Sequence, residues 1–536
     1  MVDIELPKHD QDMRIEFVED AVCGTVDESI EKPFEGLVLV PQPTQDPNDP
    51  LASCSPNSSS SSSSSSFQRV SVTLHARSKV DGARKSSNNN SFSAAELDNL
   101  RKVLDVLVVA LVPLSVEFHQ SQTRTGYIVC FNLLFMGVGN LLWVPMSRVI
   151  GKRPVYLFAL LLLTATNVWT YYASSYASLL SSRIISGLAS SAADATVPSL
   201  IADLFFVHER GHCMMLFHFA LSTGFFIGPL ISAYITQEAG WRWTSGFLAI
   251  AGGTTFLVGV FTIRESNYQR EIANTELPAS AYPPKRKFLP WMTLTHGYRP
   301  DVSFFKAVLN TICLVVYPPI LWTGLLVGTF VGWNIVVQMT ASRVFLKPPF
   351  GWKIGSVGLL ALSGFIGAVI AFFLGGKLVD LTSARMTKAN HGVREPEFRL
   401  PAIILPAIIG PMGVLTFGIC TADRLTWVGA AFGYAMQGFG VTAISNIVVT
   451  YAVDSYNQLA GEALVIVFVI RNTIAMLLSL YTVNWQESTG VKNAFAEMVG
   501  IQYFILLFTI PMFLFGKRIR AWTTHFGPIA ALQGQE

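Results

Sequence analysis

Between residues 103 and 515 the chain alternates long apolar stretches with short polar connections. One long basic connection near the middle divides the series into two sets of about six. Before that break the long stretches cover residues 126–148, 154–173, 176–205, 212–236 and 241–263; after it they cover 309–338, 354–380, 400–421, 425–453, 461–483 and 500–515. A hydrocarbon core about 30 Å thick takes about 20 helical residues to cross, because each residue advances the helix by only about 1.5 Å. A soluble protein buries one or two such helices, not a continuous series. The pattern predicts an all-α polytopic membrane protein made of two six-helix bundles, with a substrate path between the repeated halves.

The first member of the first set is short. Its apolar run, residues 106–116, contains Pro113 and is edged by Asp105 and Glu117. A helix of that length covers about 16 Å, half the hydrocarbon thickness. Either this span is stunted or a misplaced exon boundary has removed its beginning. A span that failed to cross would leave the N-terminal tail outside, with Asn57 and Asn89, which head Asn-x-Ser sequons, open to glycosylation. The expectation is an internal tail.

Composition agrees with the pattern: 51% of residues are hydrophobic and 14% charged, against about 25% charged in soluble domains. The net charge of +3 says little about partners, but its placement gives an orientation. With the loop after Arg148 inside, the groups Arg148/Lys152/Arg153, Lys285-Arg286-Lys287, Arg385/Lys388/Arg394/Arg399 and Lys517/Arg518/Arg520 all face the cytoplasm. The group Arg343, Lys347 and Lys353 is the exception and faces out. This predicts a multi-pass protein, placed in the plasma membrane, with its C-terminus cytoplasmic. The six cysteines show no paired spacing and read as small apolar residues.

Five regions follow. Residues 1–99, with a serine run from Ser58 to Ser66, lack the apolar content to offset chain entropy and read as a disordered cytoplasmic tail. This tail is either a regulatory element or a dispensable extension. Residues 100–263 form the N-terminal bundle. Residues 264–308 form a cytoplasmic linker with Tyr282-Pro283-Pro284 and an amphipathic piece around 304–309. Residues 309–516 form the C-terminal bundle and 517–536 a cytoplasmic tail.

Several motifs lie at places that matter. In the stretch 212–236, Gly224, Gly228 and Ser232 share one helix face and admit a close neighbour, and Pro229 removes a backbone hydrogen bond. Such spacing is common in membrane helices. Joined to the layout, it resembles the fifth-helix antiporter motif of the major facilitator superfamily. The loop "PMSRVIGKRPVYL" resembles that superfamily's loop between its second and third helices, with Gly151, Lys152 and Arg153 in place. It departs from the pattern at Arg148, where an Asp is expected, and at Val144, where a Gly is expected. In the second half Gly376-Lys-Leu378-Val-Asp380 keeps the Gly-x-Leu-x-Asp core. Arg183 followed by Gly187 resembles the fourth-helix motif, echoed by Gln437-Gly438-Phe-Gly440 with Tyr434 in place of Arg. Together with "DLFFVHERG", "GWRW", "GVREPEFRLP" and "GEALVIVFVIRN", these look like the fungal branch of twelve-span drug:proton antiporters. The resemblance covers about residues 114–520 and implies transport driven by a proton gradient, with no bound cofactor.

Charges inside spans are the candidate site, since each costs about 2.5–3.5 kcal/mol at a helix centre. Arg183, Gly187, Ser190, Ser191, Asp194 and Pro198 fall on one helical stripe. Arg183 and Asp194 are separated by about 16 Å and cannot pair. A stripe of that length reads as facing a water-filled cavity, with Asp194 carrying a proton and Arg183 tuning it or holding an anionic group. The alternative is that neighbouring helices satisfy both for packing alone. Arg471 lies mid-span beside Asn472. It either contacts substrate or, the preferred reading, pairs with Asp454 or Glu462. Gly438, Thr442, Ser445 and Asn446 form another small-polar stripe, and His218 is a weaker proton-shuttle candidate.

No phosphate loop, metal-spaced His/Cys set or nucleophile elbow is present, so the chain is not read as an enzyme or as a nucleic-acid binder. The expectation is a proton-coupled transporter, working as a monomer in the bilayer, that exports a small amphipathic organic molecule such as a drug or secondary metabolite. A proton symporter importing a cation or nutrient is the alternative, and a transporter-like sensor the more distant one.

Overall fold

A computed structural model describes residues 3–4, 15–16, 111–204, 207–263, 303–456, 459–523 and 525, with backbone alone at 111, 112, 116, 193, 195–204 and 207–212. The remainder of the N-terminal tail with its sequons, the beginning of the first span, the linker up to residue 302 and nearly all of the C-terminal end past residue 523 lie outside the described residues, as does the side chain of Pro198. Asp3–Ile4 and Ile15–Glu16 pair as a two-residue antiparallel ladder. Among the described residues everything else of regular structure is helical.

The first half contains α1 (Leu111–Glu117), α2 (Gln122–Ile150), α3 (Lys152–Tyr171), α4 (Tyr176–Leu204), α5 (Val207–Ala239) and α6 (Trp241–Thr262). The second contains α7 (Phe304–Cys313), α8 (Pro318–Phe345), α9 (Ile354–Ala389), α10 (Ile404–Ala422), α11 (Trp427–Ser455), α12 (Ala460–Thr489), α13 (Val491–Leu507) and α14 (Thr509–Thr523). Among the described residues ten helical segments are long and apolar enough to cross a membrane, α13 and α14 counting together. The helix α4 is 29 residues long but is described in full over only part of its length, and it is not counted among the ten.

Local chemistry sets the breaks. Gly151 at φ +111° and Gly240 at φ +86° turn one helix directly into the next, a backbone region that a Cβ disfavours. The stretch expected as one span over 309–338 is two elements. The amphipathic α7 continues as a 3-10 turn, and α8 begins only at Pro318, because proline is best tolerated in the first turn of a helix, where its missing N–H costs nothing. The last span extends past both expected ends and breaks at Phe508. There Pro511 offers no N–H to the Leu507 carbonyl and its ring crowds that oxygen.

The helices are not equally wrapped. In α8 and α11, 89% and 94% of the apolar window is buried, whereas α6 and the α13–α14 pair bury 28% each. The former are therefore interior helices. The latter present Ile250, Leu257, Phe261, Phe504 and Leu514 outward, as lipid-facing helices do. Small residues set the interior contacts. Gly364 and Gly367 of α9 lie against Gly438 and Ala435 of α11, and Gly413 of α10 lies against Gly433 of α11. Lipid is as apolar as leucine, so close backbone packing, not burial, holds such helices together.

Candidate functional site

Both halves contribute to a seam running the depth of the molecule. At the end carrying the basic clusters, Arg148 of α2 makes an ion pair with Glu462 at the start of α12. At the opposite end, Gln237 of α5 accepts from the Gly355 amide at the start of α9 at 2.9 Å, and Arg343 of α8 donates to Gln122 of α2 at 3.2 Å. Between these ends Thr442 of α11 donates to Ser222 of α5 at 2.7 Å. The halves are thus bridged at both ends.

The centre of the seam is charged. Asp194 of α4 and Arg471 of α12 pair at 2.5 Å, with side chains 1% and 3% exposed. Arg471 also donates from Nε to Asn472 Oδ1 at 3.0 Å, and its guanidinium carbon lies 4.5 Å from the centre of the Phe468 ring. Opposite charge, a second acceptor and an aromatic face together stabilise a guanidinium that has lost its water. Gly328 of α8 makes room: a Cβ there would crowd the Arg471 backbone at 3.1 Å. Beside the pair is a cavity of about 20 Å³ lined by His218, Leu221, Ser222 and Phe225 of α5, Val327 and Val331 of α8, Val441 and Ser445 of α11, and Phe468 and Arg471 of α12. That volume holds about one water molecule, which describes a closed arrangement of the two halves.

This geometry redirects the expected role of Arg471. It pairs with neither Asp454 nor Glu462, which lie at the basic end of α11 and α12, about 14 Å along the axis from Arg471 in the case of Glu462. Asp454 is held instead by Arg399 at 2.9 Å, and Glu462 by Arg148.

The stripe on α4 divides by neighbour. Arg183 is buried and donates to Ser245 of α6 at 3.1 Å. Gly187 abuts Asn132 of α2, whose carbonyl oxygen a Cβ would strike, and Ser191 meets Gly139 of α2 in the same way. Ser190 donates back to the Gly187 carbonyl at 3.0 Å. These contacts lie inside the first bundle, whereas Asp194 reaches the other half. Asn446 on α11 is buried near the seam, one residue past the cavity-lining Ser445.

The helix carrying Gly224, Gly228 and Pro229 runs unbroken as α5. Pro229 has no N–H for the Phe225 carbonyl, and Gln338 of α8 donates to that oxygen at 3.4 Å. The proline thus leaves an acceptor that the other half occupies. Farther along α5, Ala233 packs against Gly358 of α9.

Of the expected loop residues, Gly151 does form the α2–α3 turn, and its amide donates to the Ser147 carbonyl at 3.1 Å. Lys152 and Arg153 are buried, and Arg153 donates to the Val260 carbonyl of α6 at 2.8 Å. Gly376 and Asp380 lie within α9, which continues to Ala389, so that motif is helical rather than a loop. Asp380 is exposed and acts through charge on Arg394, together with Asp454. Burial, then the like charge of Arg399, lower the Arg394 pKa from its ordinary value, and the two aspartates oppose them.

Sequence reading missed the pairings. The cluster of Glu397 with Arg520 at 2.8 and 2.9 Å, and of Lys517 with Glu395 at 2.8 Å, ties α14 to the segment before α10. At the opposite end Glu117 accepts from Trp241 and pairs with Arg242 at 2.7 Å, fastening α1 to α6. The signal available was the string "GWRW" and the coexistence of one mid-span carboxylate and one mid-span guanidinium in different halves.

Comparisons with known proteins agree with this architecture. Residues 103–480 match the family model of the Major Facilitator Superfamily. Protein HOL1 of Saccharomyces cerevisiae is 25% identical over 94% of this chain and 94% of its own length. Efflux pump FUB11 of Gibberella moniliformis is 27% identical over 75% of this chain and 68% of its own. Among solved structures, the proton:xylose symporter XylE superposes with a TM-score of 0.55 at 15% identity, covering 80% of this chain and 96% of that one, which speaks to the fold alone.

Proposed function

We propose, since the chain belongs to the Major Facilitator Superfamily and is a multi-pass membrane transporter and not an enzyme, that it is proton-coupled and exports a small amphipathic organic molecule by alternating access. The buried Asp194–Arg471 pair, one partner from each half, carries the reading. Separating two desolvated charges is unfavourable by several kcal/mol. A proton on Asp194 removes one of the charges and so changes the balance between states in which the halves meet at this level and states in which they part. No ATPase is needed for that, only a difference in proton affinity between the two states. Export of a drug or secondary metabolite is supported by relatives named as efflux pumps. The basic end faces the cytoplasm on this reading, since Lys and Arg concentrate on the inner side of membranes. The protein works as a monomer in the plasma membrane.

The test is substrate-dependent proton flux in proteoliposomes. Asp194→Asn is expected to abolish transport driven by a pH gradient while the amount of inserted protein stays the same. Normal proton coupling in that variant would remove Asp194 from the mechanism.

A further inference from the structure

Resting on the reading of Asp194 as the proton site, we propose that the site around this cavity, once the two halves part and widen it, takes an amphipathic organic monoanion, whose negative group takes over Arg471 from Asp194 as that carboxylate accepts a proton. Among the described residues, the cavity wall carries one permanent cation, Arg471, and no carboxylate. The rest of the wall is largely apolar, including the rings of Phe225 and Phe468. Such a wall matches a molecule with an aromatic or aliphatic body and a single negative group, because a guanidinium presents several N–H donors in a plane that fits carboxylate or sulfonate oxygens.

Charge balance gives the sign of the coupling. With Asp194 ionised the pair is neutral, and an arriving anion would set two negative groups against one cation. With Asp194 protonated, Arg471 is a buried cation that has lost its counter-charge, which the anion restores. The proton comes from water on whichever side the site opens, an O–H bond forms on Asp194, and no bond in the substrate is broken. Proton and anion therefore favour each other, and each raises the affinity for the other by the same factor.

Among the described residues, the other charged and titratable groups on the surrounding elements do not reverse this. His218 of α5 shares the wall and when protonated adds positive charge, which acts in the same direction. Arg183 lies far along α4 and is bonded to Ser245, and Glu462 is held by Arg148 at the basic end. Nearby, α8 and α11 contribute the neutral Asn334, Gln338, Ser445 and Asn446. The described wall offers a cation no carboxylate in either state. Anion and proton thus travel together rather than in exchange, so on this scheme export is driven by acid accumulated inside the cell and opposed by an inward proton gradient.

The probe is naphthalene-2-sulfonate, whose charge does not change with pH, measured for binding to the full-length protein in nanodiscs beside neutral 2-naphthamide and 2-naphthylmethylammonium. Wild-type protein is expected to prefer the sulfonate, with a dissociation constant that rises about tenfold per pH unit above the titration of Asp194. Asp194→Asn is expected to keep the low-pH affinity at every pH. The double variant Asp194→Asn/Arg471→Gln replaces the pair by two amides and so avoids an isolated buried charge. It is expected to bind sulfonate at least about tenfold more weakly than Asp194→Asn. Preference for the ammonium, no sulfonate binding to Asp194→Asn at millimolar concentration, or equal binding by the single and double variants overturns the proposal. If Asp194→Asn loses pH-driven flux yet does not bind sulfonate, the anion assignment fails and the proton site stands. If sulfonate binds through Arg471 with no dependence on pH and Asp194→Asn still couples, the proton site has failed.

Discussion

The helices α4 and α11 occupy equivalent places in the two halves. The spacing that sets Arg183, Gly187 and Asp194 on α4 also sets Tyr434, Gly438 and Ser445 on α11. Their packing is alike: Gly187 meets the backbone of Asn132, and Gly438 meets the backbone of Gly364. Their polar chemistry is not. The α11 side is neutral, with Tyr434 donating to Asn334 Oδ1 at 3.1 Å, Gln338 donating to the same oxygen at 2.8 Å, and Gln437 donating to the Phe330 carbonyl at 3.1 Å. The α4 side carries two charges. The duplicated frame is therefore kept where backbones touch and altered where charges are buried, and the charge that answers Asp194 comes from the other half.

The largest expected effect lies at that charge. Arg471→Met leaves Asp194 buried without its cation and is expected to destabilise the purified protein by about 3–5 kcal/mol, read as a lowered Tm. Asp194→Leu/Arg471→Met is expected to recover most of the loss, because two apolar side chains need no counter-charge. On the neutral side, Tyr434→Phe removes one hydrogen bond of about 1 kcal/mol. Equal losses from Arg471→Met and Tyr434→Phe would erase the distinction between the two halves.

A smaller effect tests the shared frame. Gly187→Ala and Gly438→Ala each drive a methyl group into backbone that cannot rotate away, and each is expected to lose about 1–3 kcal/mol. The two losses are expected to be similar in thermal unfolding. A loss confined to one half would show that the repeats differ in packing as well as in charge.

What could be read from sequence followed the physics of each feature. Span number and helix ends are local, so apolar length, Gly151 and the glycine spacing announced them. The stretch at 309–338 was misjudged because hydropathy alone ignores what Tyr317-Pro318-Pro319 does to a helix. Asp194 and Arg471 were both visible as charges in unfavourable places. Their pairing was not, because they lie 277 residues apart and only the docking of the two halves brings them together. The same reason hid the pairing of Arg148, which reads in the sequence as part of a cytoplasmic basic group, with Glu462, which reads there as a partner for Arg471.

That second pair gives the smallest and most selective prediction. Arg148 stands where the resemblance led us to expect Asp, and Asp380 keeps the acidic residue at the matching place on α9. Arg148 is 41% exposed while Glu462 is buried, so solvent screening weakens the pair from one side only, and its removal is expected to cost less stability than Arg471→Met. Its effect belongs instead to the balance between closed and open basic ends, where even a small energy shifts populations several-fold. Arg148→Glu sets two negative groups together at the α2–α12 contact. It is expected to raise maleimide labelling of a cysteine placed at the basic end of the seam, and Arg148→Glu/Glu462→Arg to return it to the wild-type level. Asp380→Asn removes only an exposed charge that opposes the depression of the Arg394 pKa, so it is expected to leave labelling close to wild type. If the double reversal failed to restore closure, the Arg148–Glu462 contact would be a consequence of docking and not one of its causes. If Asp380→Asn opened the seam as far as Arg148→Glu does, the two halves would share this gate equally, and the reversal of charge at Arg148 would carry no special role.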